Sequence, residues 1–400
     1  MNFRKTYYRG YQSAVNFRPS FFRAKKPELI YGNGAIEQLP NVIRSCNLAK
    51  VIIVCSPTVG RLYLPNVIKI LVNQGIKFEV FSEVESDPKP TTLDRIYQRY
   101  VKNACQGFVA LGGGTVINAT KAAAALVAHP TMNFSILEGN FKTLRPVPPI
   151  ISIPTTGGTG YECLDISLIS EEDTHQKIMI RNRNLISAYA ILDPSLSLSL
   201  PPELTAAAGM YSLTRSIEAY LSWMGNSSED LLLEEESICE IIINLERAFH
   251  NGSDIEASLQ LMLAAYKSGI ASNPSGFGNT QAISYALECV YGAPRGLACA
   301  IALPYVLIEY GSVVWRKLAH LAEITGIKYC GSDNELATAF INKLWDISRN
   351  IHIPSEYESI QERDFPKLSH LASSAVNPRC PVPVVFSKRQ FEQVFRSMMK

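Results

Sequence analysis

The sequence predicts an α/β N-terminal domain, a doubly wound, Rossmann-like parallel sheet, followed by an all-α C-terminal domain. Three observations carry that reading. Short β-rich apolar runs alternate with helical segments through the first half, the order that builds a parallel sheet with crossover helices. Past about residue 195 the apolar residues recur almost entirely at helical spacing. Two polar, glycine-rich clusters follow strands in the first half, at the edge where such a sheet binds ligands. The 400 residues suffice for two or three domains. The boundary falls near Asp193-Pro194 and Pro201-Pro202, dividing the chain into 1–195 and 196–400.

Residues 51–55 (VIIVC) form the first compact strand. Residues 64–74 read as a helix with Pro65 in its first turn, where a missing N–H is tolerated. A strand over 78–81 ends at Glu85-Ser86-Asp87-Pro88, and a helix covers 92–105. The strand 107–111 (GFVAL) runs directly into Gly112-Gly113-Gly114-Thr115, and 118–128 is an alanine-rich helix. A short apolar strand over 149–154 follows a proline-rich loop, and 167–181 reads as a hairpin-like excursion. In the second half, helical spacing runs over 206–223, 231–249, 255–271, 282–290, 313–325, 334–347 and 388–399.

Charge and cysteines exclude several function classes. Lysine plus arginine number 38 against 36 aspartates and glutamates, a net +2, so neither nucleic acid nor an anionic membrane is an expected partner. No run of about 18 apolar residues is present, and no membrane span is expected. Residues 1–26 are basic and aromatic but lack the apolar core of a secretory signal. The aromatics of 17–22 suit either a subunit interface or a packed N-terminal strand. Nine scattered cysteines without a CxxC pair fit free thiols and a cytoplasmic location. The six histidines include no pair three or four apart, so no helical zinc pair exists.

Gly112-Gly113-Gly114-Thr115 sits where a strand ends and a helix begins. Three glycines let the backbone approach a phosphate closely, and the helix N-terminus adds partial positive charge. A nucleotide pyrophosphate suits that turn; a tight βα turn without a ligand has the same sequence. Neither GxGxxG nor GxxxxGK[ST] occurs. The second cluster, Pro154-Thr155-Thr156-Gly157-Gly158-Thr159-Gly160-Tyr161-Glu162, offers threonine hydroxyls at the same sheet edge, to a phosphate or a ribose.

With these motifs in order, the chain resembles the iron-containing alcohol dehydrogenase family, which shares the dehydroquinate synthase-like fold. Tyr31–Ala35 is similar to the family's FGxGA, Asp87-Pro88 to its NP, and residues 112–121 to GGGSxxDxAK. Residues 154–162 are similar to PTTxGTGSE, and Ile217-Glu218-Ala219-Tyr220, Gly296-Leu297-Ala298 and Asn377-Pro378-Arg379 follow in the family order. The resemblance implies NAD or NADP bound by the N-terminal domain. Gly112, Gly113, Gly114 and Thr115 would hold the pyrophosphate, Thr155, Thr156 and Thr159 the nicotinamide half. It places the active site in a cleft between the domains and a homodimer as the assembly. Ser56 stands where the family often has an acid for the adenosine ribose, which admits NADP. Asn118 replaces the motif's aspartate and Tyr161 its serine.

The family's metal needs one aspartate and three histidines. Tyr211, Arg215, Gln281 and Arg295 stand at those four positions, and Tyr285 replaces a further histidine near the substrate. Arginine is a permanent cation and cannot ligate Fe²⁺ or Zn²⁺, so no divalent metal is expected. Without it, Arg215 and Arg295 would stabilise a developing alkoxide and Tyr211 or Tyr285 would supply a proton. Two arginines also suit a small carbonyl or alcohol substrate bearing a carboxylate or phosphate. Maleylacetate reductases, relatives on this fold, act on an acidic substrate without metal. The competing reading is a degenerate family member, its arginines paired with Glu218 or Glu288, acting as a regulatory or scaffold protein with or without nucleotide.

Overall fold

The computed structural model describes residues 3–16, 25–132, 137, 139–140, 145–172, 177–328 and 331–400. The aromatic stretch 17–22, His175 and Cys330 lie outside the described residues. Two compact units emerge, one α/β (24–200 with 253–270) and one helical (1–23, 201–252 and 271–400). Both units are discontinuous in sequence. Helix α1 (Phe3–Asn16) belongs to the helical unit, and α8 (Ile255–Ala271) lies almost wholly in the α/β unit.

In the α/β unit the strands are β1 (Glu28–Tyr31), β2 (Lys50–Val54), β3 (Lys77–Phe81), β4 (Gly107–Leu111), β6 (Ile150–Ile153) and β9 (Tyr189–Leu192). They form one sheet in the order β1-β9-β6-β4-β2-β3 with parallel pairings. β2, β4 and β6 are buried almost throughout, as parallel strands covered on both faces must be. The helices α2 (Leu39–Ser45), α3 (Pro57–Asn73), α4 (Pro90–Lys102) and α5 (Gly114–Ala128) supply those covers. A small second sheet joins β5 (Gly139–Asn140), β7 (Ile166–Ser170) and β8 (Lys177–Arg181), and its antiparallel β7–β8 pair is the hairpin read from 167–181.

Two local differences from the sequence reading have clear causes. Helix α3 starts seven residues early because Ser56 caps it, accepting from the Val59 N–H at 3.3 Å, with Pro57 at the first position. Pro65 consequently lies inside the helix rather than in its first turn. β1 and β9, absent from the sequence reading, are short, and β1 is only partly buried. They are held by Asp193, whose carboxylate accepts from the N–H groups of Gly34, Ile36 and Ser195.

The helical unit continues with α6 (Pro202–Leu221), α7 (Ser228–His250), α9 (Asn279–Tyr291), α10 (Arg295–Tyr310), α11 (Trp315–Ile324), α12 (Asp333–Asn350), α13 (Phe365–Val376) and α14 (Lys388–Ser397). α10 packs on α6 and α9, and Gly296 allows the contact: a Cβ there would lie 2.3 Å from the Ala207 carbonyl oxygen. By length and composition alone Arg295–Val313 would cross a bilayer, but 56% of it is buried inside the fold, as befits a core helix. α8 leaves this unit because its small residues fit the glycine loop after β6. Gly158, at φ +95°, lies against Ala265 and Met262, and Gly269 against Gly160 and Cys163. The Tyr266 hydroxyl donates to the Pro27 carbonyl at 2.7 Å.

Candidate active site

The carboxyl ends of β2, β4 and β6 are adjacent in the sheet, so the loops that follow them share one edge. The strand order reverses between β2 and β4, the switch point where open α/β sheets bind ligands. Ser56 leaves β2, the Gly112–Gly114 turn leaves β4, and the threonine cluster leaves β6. The last two touch. A Cβ on Gly113 would lie 2.9 Å from Thr156 Cγ2, and one on Gly114 would lie 2.8 Å from the Tyr161 ring and 3.1 Å from Thr159 Oγ1. Only glycine permits this approach. α5 begins at Gly114 without a side-chain cap, and Thr115 is exposed. Thr155 is buried, and Thr156 Oγ1 is buried without a hydrogen-bond partner. An uncapped helix N-terminus over a glycine turn, beside an unsatisfied hydroxyl, fits a dinucleotide.

Two residues of the same motif face inward instead. Asn118 is 6% exposed; its Oδ1 accepts from the Leu168 N–H and its carbonyl from Ser167, tying α5 to β7. Those two bonds bridge a helix and a strand of the α/β unit. Lys121 is fully buried and donates to the carbonyls of Tyr161 and Leu164 at 2.5 and 2.6 Å. Burial lowers its pKa to about 8, although Cys163, Glu162 and Asp165 pull the other way. This lysine shapes the loop that carries the threonines.

Within the helical unit, Tyr211 and Arg215 stand four apart on α6, hence on one face. The Arg215 guanidinium lies over the Tyr211 ring at 5.7 Å. Gln281, on the first turn of α9, accepts from the Tyr211 hydroxyl at 3.5 Å and donates through Nε2 to Glu218 at 2.9 Å. Glu218 also accepts from the N–H groups of Thr280 and Gly278, at 2.5 and 3.2 Å, so it caps α9 from α6. Burial raises the Glu218 pKa and these hydrogen bonds oppose the rise. Gly278 leaves room for that carboxylate, since a Cβ there would lie 2.2 Å from it. Tyr285, four residues after Gln281, is half-buried on the same face of α9.

The two arginines have different surroundings. Arg295 opens α10 and binds Glu288 through Nε and Nη2, at 3.0 and 2.6 Å. Arg215 is 3% exposed, and its charge acts on the buried Glu234 of α7. Burial pushes the Glu234 carboxyl well above the usual carboxylate range, with Arg215 and Ser216 countering. Sequence reasoning missed Glu234, because an interior acid on an otherwise amphipathic helix leaves no local signature. The side chains at the four family ligand positions do not fit a divalent cation: two are guanidiniums, and the Gln281 amide is held by Tyr211 and Glu218. Among the described residues no group of three or more histidines, cysteines, aspartates or glutamates could hold one.

A parallel sheet with a glycine-lined switch point and a helical unit define a class of two-domain α/β proteins that bind a ligand at the sheet's carboxyl edge. The iron-containing alcohol dehydrogenase model matches residues 26–194, and the model of that family's C-terminal domain matches 205–399. The chain therefore belongs to the iron-containing alcohol dehydrogenase family and is an oxidoreductase of that family. It is 27% identical to alcohol dehydrogenase 4 of Schizosaccharomyces pombe over 376 residues, covering 92% of this chain and 87% of that one. It is 28% identical to the NAD-dependent methanol dehydrogenase of Bacillus methanolicus, over 88% and 94% of the two chains. The structure of an alcohol dehydrogenase from Oenococcus oeni superposes with a TM-score of 0.89 at 25% identity, over 93% and 98%.

Proposed function

We propose that this protein is an NAD(P)-dependent alcohol dehydrogenase or carbonyl reductase that works without the family's divalent metal. The observation that carries the reading is the linked set Tyr211–Gln281–Glu218 beside Arg215, in which Tyr211, Arg215 and Gln281 are, by resemblance, at positions of the family's metal ligands. Gly112, Gly113, Gly114 and Thr115 hold the pyrophosphate, with Thr155, Thr156 and Thr159 beside the nicotinamide. When bound, the nicotinamide accepts or supplies a hydride. Tyr211 gives the proton that an alkoxide takes during carbonyl reduction. Gln281, held by Glu218, fixes the direction of that hydroxyl, and Arg215 stabilises the negative charge left on the ring oxygen. The substrate is a small aldehyde or ketone. An acidic substrate is not part of the proposal, because Glu288 already neutralises Arg295.

The test is a fluorescence titration with NADH and NADPH, followed by aldehyde reduction with and without EDTA. Binding of at least one nucleotide and EDTA-resistant turnover are expected. Failure to bind either, or activity abolished by chelation and restored by Fe²⁺ or Zn²⁺, overturns the reading. Ser56 caps α3 at the adenosine side, so Ser56→Asp is expected to weaken NADPH at least tenfold more than NADH, by repulsion of the 2′-phosphate. A second reading is favoured by the Glu288 partner of Arg295: a degenerate protein that retains nucleotide as a structural ligand. It predicts binding with no turnover on any carbonyl.

A further inference from the structure

Helix α1 precedes both family matches, which begin at residue 26. It is nonetheless bound tightly to the helical unit. Arg9 donates through Nη1 to the Val382 carbonyl and through Nη2 to the Pro383 carbonyl, each at 2.6 Å. Gln12, fully buried, donates to the Cys380 carbonyl at 2.7 Å and accepts from Trp223 Nε1 at 2.9 Å. The Arg9 guanidinium lies over the Trp223 ring at 4.8 Å.

The segment these residues grip links the two helices of the proposed site. The Pro381 carbonyl accepts from the Trp223 N–H and the Ser222 hydroxyl, immediately after α6. The Val384 carbonyl accepts from Asn279 Nδ2, the first residue of α9, at 2.9 Å. Five successive carbonyls, 380 to 384, are thus taken: three by α1, one by the end of α6 and one by the start of α9. Two prolines, Pro381 and Pro383, leave this segment with few N–H groups of its own, so no regular ladder can fix it. α6 carries Tyr211 and Glu218, and α9 carries Gln281.

We propose that α1 is a clasp in cis, with Arg9 and Gln12 as positioning residues that hold the 380–384 segment and through it the Tyr211–Gln281 spacing. Its catalytic part rests on the function proposed above; its structural part does not. Without the clasp, three carbonyls lose buried or half-buried donors, and the first turn of α9 loosens. In that case Gln281 no longer presents its amide to Tyr211 in one orientation, and turnover falls while nucleotide binding on the α/β unit is unchanged.

The experiment compares the full chain with Arg9→Ala/Gln12→Ala and with Arg9→Lys. Hydrogen exchange is read by mass spectrometry over 277–285, and kcat, KM and nucleotide Kd are measured. In the double variant, exchange at the first turn of α9 is expected to rise at least tenfold. kcat is expected to fall several-fold with nucleotide Kd constant. Arg9→Lys, able to reach only one carbonyl at a time, is expected to be intermediate. Unchanged exchange at 277–285 overturns the clasp whatever the activity. Faster exchange in a protein that has no activity in either form upholds the clasp and defeats the functional reading instead. Should the double variant not fold, Arg9→Lys alone decides by the same exchange readout.

Discussion

Replacing Lys121 by alanine is expected to destabilise the α/β unit by about 4 kcal/mol, lowering its melting temperature by roughly 10 °C. The ammonium makes two short bonds to the Tyr161 and Leu164 carbonyls. Bonds from a charged donor contribute about 1.5–3 kcal/mol each, and their loss leaves two carbonyls facing a cavity. Against this stands the cost of burying a cation: its pKa falls from 10.5 to about 8, worth about 3 kcal/mol when the group is charged. The net loss remains large because the vacated volume cannot be filled by alanine. The pH dependence follows from the direction of the shift. Between pH 8 and 10.5 the unfolded chain keeps the proton that the folded chain has released, so stability rises with pH across that window. Below pH 8 both forms are charged and the full burial cost is present. The gap in melting temperature between the wild type and Lys121→Ala should therefore widen from pH 8 to 10. A gap that is constant or narrows means that the lysine is not a buried cation. The same variant should weaken nucleotide binding, because the carbonyls it releases belong to the loop that carries Thr155, Thr156 and Thr159.

That lysine also marks the limit of what the sequence discloses. The glycine turn and the threonine cluster are legible because each breaks a strand pattern at once, and a parallel sheet brings such breaks to one edge. Lys121 and Asn118 sit in the same motif and read as part of the same site. Yet α5 is buried along nearly its whole length, so residues a few positions past the glycines turn into the protein. The β7–β8 hairpin is legible from local alternation. The assignment of α8 to the α/β unit is not: its composition matches the helices around it, and only the glycine approaches at Gly158 and Gly269 decide where it docks. The four substituted ligand positions are visible by resemblance alone, whereas the acids around Arg215 and Arg295 are tertiary facts. Glu288 lies seven residues before Arg295, at the far end of α9. Glu234, on α7, feels the charge of Arg215 on α6.

Tyr211→Phe is expected to reduce kcat for carbonyl reduction by about 10²–10⁴-fold, the usual contribution of a positioned proton donor. The substitution removes one hydroxyl and retains the ring beneath Arg215, so folding should change little: the lost bond to Gln281 is long, at 3.5 Å, and worth about 1 kcal/mol or less. Nucleotide affinity should be unaltered, because Tyr211 is not among the residues proposed to hold the nucleotide. Gln281→Ala should act in the same direction but less strongly. It keeps the donor and loses its orientation, and it also removes the Nε2 bond to the buried Glu218 carboxylate. The two effects should not add in the double variant, since both act through one proton. The decisive comparison is single-turnover reduction of an aldehyde by bound NADH or NADPH, monitored by loss of nicotinamide absorbance, which isolates chemistry from product release. An unaltered rate in Tyr211→Phe excludes this hydroxyl as the donor and leaves Tyr285, on the same face of α9 as Gln281, as the next to test. If both phenylalanine variants reduce at the wild-type rate, the proton comes from solvent and the linked cluster is a repair of the helical core.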